Sequence, residues 1–341
     1  MIRLRTGALI AGLCAAACDG STTKPTPTPD APKITCPASQ TQPSRDGQAV
    51  SVTYPAPAVI GGAAPVAMTC SPTSPSTFPI GSTNVTCSAV DALSRRDACS
   101  FAVIVTAPSR ISATRFVAFG DSISDGVLGL APKAVGDPGP PVGYAFKLRT
   151  LLANRYTAQT ISMTDEGMPG ESVTMGVTRL PGVLTRDQPE ALLLLEGVND
   201  LNGGMDAAIP IVINNLRTMV REARGRGMAV FLATLLPERP PGQRTGGAAS
   251  IPPANARIRA LAAAEGATLV DLFAAFDGQT GTLLGPDGLH PNDAGYQKMA
   301  EVFFDAIRDR LELKTSISGV WNQESGMGEP DAHSKFRIPN S

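Results

Sequence analysis

The sequence predicts a chain in two parts, in which a small all-β unit precedes an α/β unit, a three-layer α/β/α sandwich around a parallel sheet. The first part holds short β-branched runs and the four cysteines that follow residue 18. In the second part, apolar runs alternate with segments of helical spacing, as in parallel sheets covered on both faces. With 341 residues, 43% of them hydrophobic, the chain can bury a sizeable core. Its net charge of −1 favours neutral partners and no nucleic acid.

The N-terminus has the pattern of an export signal over residues 1–17. Two arginines precede an apolar stretch that is too short to cross a bilayer. The small residues before Cys18 fit an ordinary cleavage site and also resemble a bacterial lipoprotein box, although Ala15 replaces the usual leucine. Cleavage there leaves five cysteines, so a lipid on Cys18 lets the other four pair. We therefore expect an extracytoplasmic, membrane-anchored lipoprotein, with simple secretion as the alternative.

Residues 18–33 alternate threonine with proline and are expected to form an extended tether. Residues 34–108 follow as a separate unit. Strand-like runs such as 49–54 and 101–106 are separated by turn residues at the spacing of a β-sandwich.

Three stretches of this unit, Cys36-Pro37, the segment from Phe78 to Cys87 and Cys99-Ser100-Phe101, resemble the immunoglobulin-like modules of the hyalin-repeat (HYR) family. Four cysteines allow three pairings. We favour Cys70 with Cys87, which closes an apparent hairpin, and Cys36 with Cys99, which joins the first and last strands. A spacer is the favoured role for residues 34–108, and contact with a glycan or a protein is the alternative.

The α/β unit is expected to span residues 109–311. Its predicted strands are 115–119, 160–164, 192–195, 228–234 and 267–270, and its predicted helices are 143–154, 206–225, 254–265 and 293–311. Residues 312–341 show little periodicity and are expected to form an irregular tail.

Three of these strands are followed by residues of types that take part in catalysis. Ser122 lies in a glycine-bounded turn, Gly170 in a loop and Asn199 after an unbroken apolar run. Ligands bind at the carboxyl edge of such sheets, and a helix beginning after Ser122 would favour developing negative charge. The Asn199 amide can donate to an oxyanion, as a carboxylate cannot. The alternatives are that the serine turn only caps a helix and that Gly170 only forms a turn.

Asp287 and His290 complete the set. The chain has two histidines, and the other, His333, lies in the polar tail. A carboxylate that fixes the imidazole tautomer makes histidine a better base near neutral pH. The alternative is a turn followed by Asn292 as a helix cap.

The four motifs, in this order over about residues 113–311, resemble the SGNH or GDSL-type hydrolase family. The resemblance implies a flavodoxin-like α/β/α fold and gives five residues their roles: Ser122 as nucleophile, Gly170 and Asn199 in the oxyanion hole, and Asp287 and His290 as the remaining triad members. One departure is Asp165, where family members often carry asparagine.

The implied activity is that of a serine ester hydrolase acting on small-molecule, carbohydrate or lipid esters of carboxylic acids, without cofactor or metal. A GxSxG nucleophile elbow is absent from the sequence, which argues against the α/β-hydrolase fold. Two alternatives stay open: an acyltransferase that uses the same acyl-enzyme, and a surface-binding protein with a vestigial hydrolase domain.

Overall fold

The computed structural model describes residues 27–128, 143–315 and 321–322. The predicted signal segment, Cys18 with its lipid, most of the tether and His333 lie outside the described residues. None of the helices in the described ranges combines the length and the apolar character that a membrane crossing requires.

The chain divides into two compact units. One contains the described residues up to Ser39 with Thr53–Ser76 and Asn84–Ala102, and the other contains Gln40–Val52, Thr77–Thr83 and the described residues from Val103 onward. The domain boundaries expected from the sequence stay predictions.

From residue 27 to residue 114, which the structure describes without a gap, the regular elements are all strands. They are β1 (Lys33–Thr35), β2 (Gln40–Pro43), β3 (Val50–Val52), β4 (Ala58–Ile60), β5 (Ala67–Ser71), β6 (Ser76–Phe78), β7 (Gly81–Val90), β8 (Arg96–Thr106) and β9 (Arg110–Ile111). In the first unit, β1 pairs with β4 and β5 pairs with β7, both antiparallel. In the second unit, β2 runs parallel to the end of β8.

Two disulfides cross-link the first unit. Cys70 and Cys87 lie opposite each other in the β5 and β7 pair, with Cα atoms 4.0 Å apart, and Cys36 is bonded to Cys99. The pairing favoured from the sequence is the one in the structure. Few large side chains are buried here, and covalent links stabilise such small cores by restricting the unfolded chain.

A five-stranded parallel sheet organises the second unit. Its strands are β10 (Arg115–Gly120), β11 (Ser162–Gly167), β12 (Ala191–Leu195), β13 (Ala229–Ala233) and β14 (Thr268–Val270), in the order β11-β10-β12-β13-β14. This is the flavodoxin-like order, in which the chain changes direction across the sheet between its first and third strands. Every residue of β12 is buried, as its unbroken apolar run predicts.

Helices cover both faces of this sheet, which confirms the predicted α/β/α class. They are α1 (Tyr144–Arg155), α2 (Val173–Asp187), α3 (Val198–Gly204), α4 (Ile209–Gly225), α5 (Ile251–Glu265), α6 (Leu272–Phe276), α7 (Thr280–Leu283) and α8 (Asp293–Leu311), with a 3-10 turn at Met205–Ala208. One layer contains α1 packed on α8, and the other contains α2 packed on α4 and α4 on α5.

No helix is predicted from the sequence over α2. Pro181 lies in its interior, followed by Gly182 and preceded by Gly176, and these residue types disfavour a helix. Packing overrides these propensities. A Cβ atom at Gly176 would lie 3.4 Å from the Phe119 ring, so the glycine lets the helix pack closely on the sheet. Leu180 and other apolar residues of α2 are buried in the same core.

The start of the expected irregular tail is ordered as a strand. Residues Glu312–Thr315 form β15, which pairs antiparallel with β9 and with β16 (Trp321–Asn322). The Glu312 carboxylate accepts hydrogen bonds from Arg155 and from the Tyr156 hydroxyl. These partners are distant in sequence, so the periodicity of the segment could not indicate the strand.

Candidate active site

Ser122 lies in a tight turn directly after β10. Gly120 is required here, because a Cβ atom at this position would lie 1.9 Å from the Leu195 carbonyl oxygen and 2.5 Å from Ser124 Oγ. The Asp121 carboxylate accepts from the Ile123 N–H at 2.9 Å, and the Asp125 N–H donates to the Asp121 carbonyl at 3.1 Å. Gly120 therefore packs directly against the end of β12, and the turn that carries Ser122 begins there.

The helix expected immediately after Ser122 is not formed. Residues 122–126 are turns, and residues 127–128 that follow them are irregular. The N–H of Val127 donates to the Ser122 carbonyl at 3.0 Å, which closes the turn instead of continuing a helix. The prediction of a helix N-terminus next to the Ser122 hydroxyl is therefore wrong. Negative charge that develops beside this hydroxyl would have to be stabilised by other groups.

Ser122, His290 and Asp287 form a continuous hydrogen-bonded chain. His290 Nε2 lies 2.8 Å from Ser122 Oγ, and His290 Nδ1 lies 2.6 Å from Asp287 Oδ2. Ser122 and His290 are almost fully buried. Because an ionised Asp287 can only accept, Nδ1 carries the ring proton and Nε2 is left to accept from the serine hydroxyl.

Backbone hydrogen bonds hold the segment that carries Asp287 and His290. Gly288 has a φ of +81°, and its carbonyl accepts from the N–H of Arg239 at 2.8 Å. The Arg244 N–H donates to the Asp287 carbonyl at 3.1 Å. Asn292 caps α8 by accepting from the N–H of Gly295, as the alternative interpretation of this segment predicts. The cap and the triad geometry therefore coexist.

The environment of Asp287 keeps it ionised. Burial opposes its charge, but hydrogen bonds from the His290 ring and from the N–H groups of Leu289 and His290 outweigh burial and lower the pKa of the carboxyl. A carboxylate that remains charged stabilises the imidazolium that forms when His290 takes a proton.

The loop with Gly170 follows β11, the strand next to β10. The Met168 N–H donates to the Gly120 carbonyl at 2.8 Å, and the Glu171 N–H donates to the Met168 carbonyl at 3.0 Å. Gly170 lies inside this turn with a φ of +81°, where a side chain would strain the backbone. Because Gly120 pairs in register with Gly167, this loop and the serine turn leave the sheet at the same edge.

Asn199 follows β12 at the same edge of the sheet. Gly197, with a φ of +120°, turns the chain sharply into α3, and Asn199 lies in its first turn. One N–H of the Asn199 amide donates to the Glu171 carbonyl at 2.9 Å. Asp200 accepts from the N–H of Val173, the first residue of α2, at 3.0 Å. Two consecutive side chains of α3 therefore hold the loop that contains Gly170.

An ion pair that the sequence analysis did not predict lies beneath this loop. Arg179 donates to both carboxylate oxygens of Glu171, at 2.8 Å and 2.5 Å, and also bonds Glu166. Its guanidinium group lies 4.1 Å from the centre of the Phe119 ring. The sequence could have indicated this pair only through the spacing of the two residues along a helix. Because Pro181 disfavours a helix in this segment, that spacing was not recognised.

Two buried acids lie beside the site without hydrogen-bond partners among the described residues: Glu196, through both carboxyl oxygens, and Asp121, through Oδ2. Burial, together with the charges of Glu171 and Asp200, raises the pKa of Asp121 to about 7. Burial and the Asp121 charge raise the pKa of Glu196 well above its ordinary range. Near neutral pH this pair retains protons that exposed carboxyl groups have released.

All five residues singled out in the sequence lie at the carboxyl edge of the sheet or in the segment that packs against it. Ser122, His290 and Asp287 contact one another directly, and Asn199 contacts the residue after Gly170. Their catalytic roles stay predictions. Asp165, the departure from the family pattern, accepts from the Gly167 N–H at 3.0 Å, as an asparagine oxygen could.

Two family models match the chain. The GDSL-like lipase/acylhydrolase family matches residues 118–298, and the HYR domain matches residues 28–105. Both resemblances stated from the sequence are therefore confirmed.

Individual proteins match the same region. The esterase TesA of Pseudomonas aeruginosa is 26% identical over 209 residues, which cover 61% of this chain and 94% of that protein. A lipase/acylhydrolase structure from Enterococcus faecalis is 24% identical and covers 57% of this chain and 96% of its own, with a TM-score of 0.49. The acetylxylan esterase Axe2 of Geobacillus stearothermophilus is 21% identical and covers 58% of this chain and 95% of its own, with a TM-score of 0.48.

Proposed function

Because the chain belongs to the GDSL-like lipase/acylhydrolase family, we propose that it hydrolyses carboxylic esters through an acyl-enzyme on Ser122. The observation that carries the proposal is the hydrogen-bonded chain from Ser122 Oγ through the His290 ring to Asp287. The similarity to an esterase, TesA, supports the same reaction class.

In the first half of the reaction, His290 Nε2 takes the proton of Ser122 Oγ while that oxygen bonds to the ester carbon. The carbonyl oxygen becomes an oxyanion, to which the N–H groups of Ser122 and Gly170 and the Asn199 amide donate. When the intermediate collapses, the bond to the alcohol oxygen breaks, and His290 returns its proton to that oxygen. The acyl group stays on Ser122.

In the second half, water replaces the alcohol. His290 takes a proton from the water, whose oxygen bonds to the acyl carbon, and the same donors stabilise a second oxyanion. Collapse breaks the bond to Ser122 Oγ, which recovers the proton from His290. The acid leaves, and Asp287 stabilises the charged ring in both halves.

The test is active-site labelling combined with turnover. A fluorophosphonate probe should modify Ser122, as read by peptide mass spectrometry, and Ser122→Ala should lose labelling and lower kcat by at least about 10⁴-fold. The matched control is Ser124→Ala, which removes the other buried hydroxyl of the same turn and should retain labelling. Ester cleavage that persists in Ser122→Ala would contradict the proposal.

The substrate class can be identified by measuring turnover of a panel of esters graded by chain length, which includes small aryl esters, lipid esters and acetylated polysaccharides. We expect turnover of one of these classes with release of the free acid. If an added alcohol or sugar instead receives the acyl group faster than water does, the protein is an acyltransferase.

We further propose that the protein works outside the cytoplasm, anchored by a lipid on Cys18. Two disulfides support this location, because such bonds persist in oxidising compartments. Cys18→Ala should release the protein from the membrane fraction of producing cells. Unchanged membrane association of this variant would argue against the lipid anchor.

A further inference from the structure

We propose that Arg179 is a positioning residue for oxyanion stabilisation, because its ion pair with Glu171 fixes the loop that carries Gly170 and the carbonyl that holds the Asn199 amide. The inference rests on the proposed function, which gives Gly170 and Asn199 their roles.

The first support is the geometry of the guanidinium group. Arg179 Nε and Nη2 bind the two carboxylate oxygens of Glu171, while Nη2 also donates to the Glu166 carbonyl at 2.9 Å. Two parallel bonds set the direction of a carboxylate as well as its distance. The Phe119 ring beneath the guanidinium plane restricts its remaining freedom.

The second support is the burial of Glu171, whose side chain is only 1% exposed. Three other carboxyl groups face the same region, those of Asp121, Glu196 and Asp200. Without Arg179, a buried charge would be left among these acids without a counter-charge, and such charges are strongly disfavoured. Glu171 would then move from its position in the loop.

The third support is what the backbone of Glu171 does. Its carbonyl accepts from the Asn199 amide at 2.9 Å, and its N–H closes the turn that contains Gly170. One residue therefore links both expected oxyanion donors. Any displacement of Glu171 moves these donors, and errors of about 1 Å in such positions cost about 10²-fold in rate.

The test compares Arg179→Met with Arg186→Gln. Both remove an arginine of α2 that pairs with Glu166, but Arg186 is largely exposed and has no bond to Glu171. Arg179→Met should lower kcat by about 10- to 100-fold with KM changed by less than about threefold. Arg186→Gln should retain both constants.

A boronic acid inhibitor separates this role from a merely structural one, because its tetrahedral adduct on serine resembles the transition state. Its affinity should fall in Arg179→Met by the same factor as kcat, since only donors to the oxyanion are displaced. Arg179→Lys, which retains charge but not the paired bonds, should lie between the wild type and Arg179→Met. It also serves as the second variant if Arg179→Met does not fold.

Glu171→Gln added to Arg179→Met should recover part of the lost rate, because the unpaired charge is gone. The inference is overturned if Arg179→Met retains the wild-type kcat, if its kcat falls without loss of boronate affinity, or if Arg186→Gln shows the same loss. A wild type that cleaves no ester and takes no fluorophosphonate label instead refutes the proposed function.

Discussion

The two sides of the candidate site are held by different means. On the expected proton-transfer side, comprising Ser122, His290 and Asp287, the expected catalytic side chains also position one another through direct hydrogen bonds. On the expected oxyanion side, comprising Gly170 and Asn199, the expected donors are held in place by other residues, namely Glu171, Arg179 and Asp200. Direct contacts make the first side sensitive to each of its members, whereas losses on the second side should be smaller and graded.

The largest effect is expected from Asp287→Asn. An amide at this position can donate to Nδ1, which favours the wrong ring tautomer and leaves Nε2 unable to accept from Ser122. We expect kcat to fall by about 10³- to 10⁴-fold with little change in fold, measured by steady-state kinetics and circular dichroism. The control is Asp293→Asn, which alters an exposed carboxylate paired with Lys147. Equal losses in both variants would contradict a triad role for Asp287.

Asn199→Ala should be the next in size. It removes an amide donor to the oxyanion, for which losses of about 10²- to 10³-fold in kcat are typical. Asn202→Ala is the matched control on α3, because its side chain binds the Gly247 N–H instead. If kcat of Asn199→Ala stays within a few-fold of the wild type, this amide is not an oxyanion donor.

Asp200→Ala should have a weaker effect. It leaves the N–H of Val173 without its acceptor, which costs about 1–3 kcal/mol, and only the part that displaces the Gly170 loop affects turnover. We expect kcat/KM to fall by less than about tenfold. Asp200→Asn retains an acceptor oxygen and should restore most of the loss, whereas no difference between the two variants would show that this hydrogen bond is not the cause.

The smallest effect concerns stability and its pH dependence. Asp121 and Glu196 have raised pKa values in the folded protein, so the folded state holds protons that the unfolded chain has released. The stability that these two groups contribute is therefore fully present below the ordinary carboxyl range and is lost as pH rises through the folded pKa of Asp121, about 7. Between pH 6 and pH 8, Tm should fall by about 2–4 °C more in the wild type than in Glu196→Gln.

The control for this slope is Glu222→Gln, which removes the carboxylate of a solvent-exposed ion pair with Arg226 on α4 and should leave the pH dependence of Tm as in the wild type. If Tm changes with pH in the same way in the wild type and in Glu196→Gln, the buried acids do not retain protons above the ordinary carboxyl range.

Much of the fold was predictable because its signals are local. The apolar run of β12 and the spacing of α8 mark a buried strand and a helix wherever they occur, and both were predicted within a residue or two. The helix α2 was missed because Pro181 contradicts it locally and only burial against the sheet stabilises it. Strand β15 was missed because its hydrogen bonds go to β9, about 200 residues earlier.

The sequence by itself determined which chemical groups the protein has and on which elements they lie: a serine and an asparagine after buried strands, and an aspartate three residues before the histidine. Only the tertiary structure decided that Ser122 and His290, 168 residues apart, lie within hydrogen-bonding distance, and that Arg179 pairs with Glu171 beneath the loop that carries Gly170. The physical reason is range. Strand and turn preferences act over a few neighbouring residues, whereas the pairing of buried charges depends on which elements the packed core brings together.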